Sequence, residues 1–134
     1  MQAPTTQQAK IRMILWIAFM NAVILYNVIV FIGFGDEAAS NRLVRQLSIT
    51  DPVIASCGAL AIVAFLGSVI LTRTPITQSA QDYPKFILRM GVAEIPAILG
   101  LVISFTTLRA EPLWVASALS ILLFILHRPT SHTL

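Results

Sequence analysis

Residues 13–34 read MILWIAFMNAVILYNVIVFIGF, a run without one charged side chain. A helix crossing the hydrocarbon core of a bilayer needs about 20 predominantly apolar residues. Met13–Phe34 meets that requirement, and its length decides between helix and strand. The strand of a membrane barrel would be about 10 residues long and would alternate apolar with polar positions. Nothing alternates here.

Three more segments have the same character. Val53–Leu71 is uncharged and is opened by Asp51-Pro52. Phe86–Leu108 is apolar apart from Arg89 and Glu94. Leu113–Leu126 is short, and reaches a spanning length only when extended from Glu111 to Arg128 with the arginine snorkelling to the interface. The punctuation fits helices. Pro52, Pro84 and Pro112 stand at helix starts, where a missing N–H costs nothing, and Gly33 and Gly35 close the first segment. The expected fold is all-α: a polytopic up-down bundle of four transmembrane helices in one membrane domain, spanning about residues 13–34, 53–71, 86–108 and 112–127.

Composition excludes the main alternatives. The chain has 134 residues, 57% hydrophobic and 11% charged, against about 45–50% and about 25% in a typical soluble domain. Its mean hydropathy is +0.83. The nine Lys and Arg are scattered singly among apolar blocks, so a pI near 9.6 reports membrane topology and not nucleic-acid binding. A single cysteine, Cys57, excludes an internal disulfide and a cysteine zinc cluster. The connections are short and polar. Asp36–Pro52 has room for a surface helix around Asn41–Leu47, and the tail Met1–Ala9 reads as frayed. The first segment is longer than a signal-peptide core, and Ala38–Ser40 is a poor cleavage site, so it reads as a retained span.

Orientation follows from the positive charges. Lys10, Arg12, Arg73, Lys85, Arg89 and Arg128 fall on one side, and Arg42, Arg45 and Arg109 on the other. That excess places both termini in the cytoplasm. Trp16 and Tyr83 then lie at the inner interface and Trp114 at the outer one.

Between lipid-solvated helices, contact depends on small residues that let backbones approach. Such stripes run through Cys57, Ala61, Ala64 and Ser68, and through Ala93, Ala97, Gly100 and Ser104. Shorter ones are Ala18 with Ala22 and Ala116 with Ser120. The same stripes also suit homo-oligomers or a place in a larger membrane complex.

Glu94 is the one carboxylate inside a span. An ionisable group there is expensive, faces the bundle interior and is a functional candidate by default. Counted at about 1.5 Å per residue, Glu94 lies about 10 Å in from Ile87, Asn21 about 12 Å in from Met13, and Ser120 about 9 Å in from Leu126. The expectation is that Glu94, Asn21 and Ser120 share one layer. Arg89 is five positions from Glu94, outside pairing geometry, and should snorkel inward to the cytoplasmic interface. Pro96 removes a donor and frees the Val92 carbonyl, and a carboxylate beside a free carbonyl is one way to build an ion site. Asn27 is a second polar group in the first span, placed to bond a neighbouring helix or water near the outer leaflet.

The third span reads AEIPAILGLVISF from Ala93 to Phe105. It resembles the carboxylate-bearing helix of the proteolipid rotor-ring subunits of ATP synthases and vacuolar-type ATPases. There an Ala-Glu pair precedes a Gly-Leu or Gly-Phe at this offset. The resemblance implies a proton or cation carried on Glu94. The sequence departs from that pattern at Pro96, in lacking a glycine-rich partner helix, and in having a further helix after the carboxylate. The layout as a whole resembles small four-span bacterial membrane proteins that end on a short helix closing in His-Arg-Pro, here His127-Arg128-Pro129. That likeness implies a fold and no chemistry.

No nucleophile–base pair, phosphate loop or haem ligand set is present. His127 and His132, five residues apart in a polar tail, are too few for a metal site without other ligands. The expectation is a non-enzymatic protein without cofactor or metal, acting through lipid and protein contacts as an accessory or structural subunit or a homo-oligomer. The alternative is a proton- or cation-translocating oligomer that uses Glu94.

Overall fold

A computed structural model of the chain describes residues 6–34, 51–74 and 82–129. They form four helices: α1 (Thr6–Phe34), α2 (Pro52–Thr72), α3 (Tyr83–Thr107) and α4 (Glu111–Leu126). The segment proposed for a surface helix, Asn41–Leu47, lies outside the described residues.

Each prolyl start is where the sequence puts it. At α2 the Asp51 carboxylate caps the helix by accepting from the Val53 N–H at 3.0 Å. α4 has no such cap from its own preceding residue, Ala110. Its orphan Leu113 N–H instead donates across to Ser104 Oγ at 3.1 Å, so the last turn of α3 caps the first turn of α4. Between them, Leu108 closes α3 in the left-handed region at φ 53°. α1 begins before the apolar run does. Thr6–Ala9, expected to fray, is helical, because Ala9 and Arg12 are buried and the Arg12 guanidinium lies 5.8 Å over the Phe86 ring.

The pairings give the topology. Ala97 meets Ser120 and Ser104 meets Leu113, so α3 and α4 run antiparallel. Trp16 meets Phe124 and Asn27 meets Ser117, so α1 is antiparallel to α4. Ser68 meets His127, the residue closing α4, and Arg89 near the start of α3 meets Thr74 just past α2. The bundle is up-down-up-down, and α3 packs against all three other helices. Its core consists of Val23, Phe86, Met90, Ala93, Ala97, Leu123 and Phe124, with Trp16, Phe19, Tyr26 and Phe65 packed around them.

The small residues of α3 and α4 make this possible. Ala93, Ala97, Gly100 and Ser104 are all buried, as are Ala116 and Ser120. At Gly100 the helices approach so closely that a Cβ would collide with that of Ala116 and lie 3.1 Å from the Pro112 carbonyl oxygen. The α2 stripe is half-buried at Cys57, Ala61 and Ala64 and buried at Ser68. The α1 pair behaves differently: Ala18 is exposed and Ala22 half-buried. α1 instead turns Trp16, Phe19, Val23, Tyr26 and Val30 inward.

The outer faces are strongly apolar. Phe31 is 70% and Ile32 78% exposed on α1, and Ile62 and Val63 are similarly bare on α2. In water such a surface would drive aggregation, whereas in a bilayer it is what lipid requires. Gln7–Gly33, Pro52–Thr72 and Tyr83–Thr107 are long and apolar enough to cross a membrane; Glu111–Leu126 is a shorter apolar helix. By its helix composition the chain is a small multi-pass membrane protein.

Candidate functional site

Glu94 lies halfway along α3 and is half-buried. Its carboxylate accepts a hydrogen bond of 2.6 Å from the Tyr26 hydroxyl of α1. The expected layer of Glu94, Asn21 and Ser120 does not form. Asn21 sits on the exposed side of α1. Ser120 is buried and serves a different group, its Oγ accepting from the Ala97 N–H at 3.0 Å.

The reason is angular. Depth counting gives a level along the helix and says nothing of the direction faced. Tyr26 is five residues from Asn21, or about 140° around the helix at about 100° per residue. Helical side chains also lean toward the N-terminus, so the long tyrosine side chain reaches back below its own Cα, toward Glu94. A signal for Tyr26 was present in the sequence: with Trp16, Phe19 and Val23 it continues one stripe at helical spacing.

Pro96 is fully buried within α3. A proline disturbs the turn around it, and here the neighbouring Ala97 N–H is taken up by Ser120 on α4. That bond ties α3 to α4 one residue beyond Pro96. Asn27 faces inward as expected: Nδ2 donates to the Val23 carbonyl at 2.8 Å and to Ser117 Oγ at 2.7 Å.

At the end of the bundle that gathers the N-terminus of α1 and the C-terminus of α4, the chemistry is basic. Arg89 donates to the Thr74 carbonyl oxygen and, at 2.7 Å, to Thr74 Oγ1. It thereby places a cation at the C-terminal end of α2, where the helix dipole favours one. Arg128 lies 6.0 Å over the Trp16 ring, and the Trp16 indole N–H donates to the Phe124 carbonyl at 2.8 Å. His127, read from the sequence as part of a polar tail, is buried, with Nε2 2.8 Å from Ser68 Oγ. Its place follows from packing, since it closes α4 against the C-terminal half of α2. At the opposite end Arg109 pairs with Glu111 at 3.1 Å.

Among the described residues no group of three or more His, Cys, Asp or Glu is placed to hold a metal ion. Chemically, the polar groups along the helices join them: α1 to α3 through Tyr26–Glu94, α1 to α4 through Asn27–Ser117, α3 to α4 through Ala97–Ser120. No protein-family model, curated protein or solved structure matches the chain. The likeness to rotor-ring proteolipids therefore rests on Ala93–Phe105 alone.

Proposed function

We propose that the protein is a non-enzymatic structural or accessory component of a bacterial inner membrane, with both termini in the cytoplasm, acting through its contacts with lipid and with other membrane chains, copies of itself included. The observation that carries this reading is the engagement of Glu94 by Tyr26. A carboxylate already held across two helices serves as interhelical glue, a role worth about 0.6–2 kcal/mol per hydrogen bond in membranes. The positive charges at the cytoplasmic end support the orientation.

A second reading draws on the same residue. Glu94 is half-buried and not sealed, and its neighbours Ala93–Phe105 resemble a rotor-ring helix. It would make the protein a proton- or cation-translocating oligomer. The two readings separate on labelling with dicyclohexylcarbodiimide in membranes, followed across pH by intact mass, since the reagent modifies protonated carboxyls in apolar surroundings. The structural reading expects little labelling at Glu94, a stable Glu94→Gln variant with unchanged cellular function, and a destabilised Tyr26→Phe variant. Fast labelling that declines as pH rises, with loss of a pH-dependent activity in Glu94→Gln, would overturn it in favour of ion carriage.

A further inference from the structure

The outward face of α1 carries a polar group where lipid contact calls for an apolar one. Asn21 is exposed and stands at the middle of Gln7–Gly33, about 20 Å from either end at about 1.5 Å per residue. Among the described residues its carboxamide has no hydrogen-bond partner, whereas the Asn27 amide nitrogen, further along the same helix, donates to the Val23 carbonyl and to Ser117. Hydrocarbon supplies no donor or acceptor to an amide.

The residues around Asn21 add a second observation. Ile14, Ala18, Asn21, Leu25, Val28 and Ile32 are all exposed, and they follow one another in alternating steps of four and three. That is the period of a two-helix seam, in which side chains of one helix enter gaps of another at a shallow left-handed crossing. One amide within such a seam fixes its register and its number of strands.

The occupant follows from the chemistry of the amide. A carboxamide offers both an acceptor and donors, so it complements a second carboxamide in reciprocal fashion. Copies inserted with the same topology hold α1 parallel and bring Asn21 to the same depth. A two-fold axis then joins identical surfaces. We propose that this face of α1 is a self-association site, on which a second copy of the chain packs along the seam from Ile14 to Ile32 with the two Asn21 amides hydrogen-bonded to each other. The proposal rests on the reading that the protein works through contacts with other membrane chains, and is independent of the role of Glu94.

The test uses the full chain in phosphatidylethanolamine–phosphatidylglycerol vesicles, in a Cys57→Ser background. Ala18→Cys and Leu25→Cys should form disulfide-linked dimers under mild oxidation, while Ile62→Cys on the exposed face of α2 should not. Adding Asn21→Leu should weaken dimerisation, read by energy transfer between labelled copies, by about tenfold, as loss of an interhelical hydrogen bond predicts; Asn21→Gln should restore part of it. Because Asn21 faces outward, helix content and thermal unfolding of the Asn21→Leu monomer should stay at the wild-type level. A wild-type chain that is monomeric at high protein-to-lipid ratio overturns the proposal together with self-association. A dimer that does not cross-link at Ala18→Cys and Leu25→Cys, or whose strength is unchanged by Asn21→Leu, overturns this interface and leaves self-association through another face. Carbodiimide labelling of Glu94 stands apart from all of these results.

Discussion

Replacing Gly100 with alanine adds one methyl group where α3 and α4 are closest. The added carbon would meet the Ala116 Cβ well inside van der Waals contact, with the Leu113 Cα at 3.3 Å behind it. Backbone lies on two of the three sides, so no flexible side chain can swing away. The helices must part locally by about an ångström to restore a carbon–carbon separation of about 3.5–4.0 Å. Overpacking of this kind costs about 1–3 kcal/mol. In water a helical glycine-to-alanine change would return up to about 1 kcal/mol of propensity. In a membrane the separated helices remain helical, because their backbone groups have no other partners, so this compensation largely disappears. Gly100→Ala should therefore destabilise the bundle by about 1–3 kcal/mol. Reversible unfolding in mixed micelles, followed by the fluorescence of Trp16 at the α1–α4 contact, would measure it. Gly91→Ala on the same helix is the control, since its Cβ would meet nothing within 4 Å, and it should leave stability unchanged. Ala116→Gly in the Gly100→Ala background should recover at least about 1 kcal/mol, a coupling expected only of residues in contact. If Gly100→Ala matches wild type, or the double variant shows no coupling, the close approach of α3 and α4 at this point is wrong.

Three further predictions test other parts of the bundle. Ser120→Ala should cost about 1–3 kcal/mol by leaving the buried Ala97 N–H without its acceptor; Ser56→Ala, whose exposed hydroxyl bonds only its own helix, should cost far less in the same unfolding assay. Leu108→Gly should stabilise the protein by about 0.5–1 kcal/mol, because the left-handed backbone at φ 53° strains a leucine and not a glycine, an increment readable in the unfolding midpoint. At the end of the bundle where α3 passes into α4, the hydrogen bond from Arg109 holds the Glu111 carboxyl below its ordinary value. A depressed carboxyl binds its proton less readily in the folded state, so the pair contributes above the ordinary carboxylate range and loses its contribution as pH falls through the depressed value. Glu111→Gln should remove that part of the acid dependence, and added salt should shrink it in wild type.

Much of this architecture was legible in the chain. The four helices were, because the apolar runs are long and continuous and each later one opens on a proline. The burial of Ala93, Ala97, Gly100 and Ser104 was also readable, since small residues at helical spacing have one obvious use between lipid-solvated helices. Glu94 as the polar centre followed from composition alone. The sequence misled where a direction was needed. Asn21 and Tyr26 are both in the first span, and only the rotation of α1 about its axis sends one outward and the other to Glu94. His127 read as tail because its burial depends on where α2 ends, a fact no local stretch contains.

The division has a physical basis. Hydropathy, length and charge act on each segment separately, through its transfer into hydrocarbon, so the number of helices, their apolar character and their alternation in direction are written in the chain. Helix rotation and partner choice are set by interlocking surfaces in which no hydrophobic contrast distinguishes one apolar face from another. It is the packed bundle that brings Tyr26 to Glu94, sets Ser120 on the Ala97 N–H beside Pro96, and leaves Asn21 facing outward.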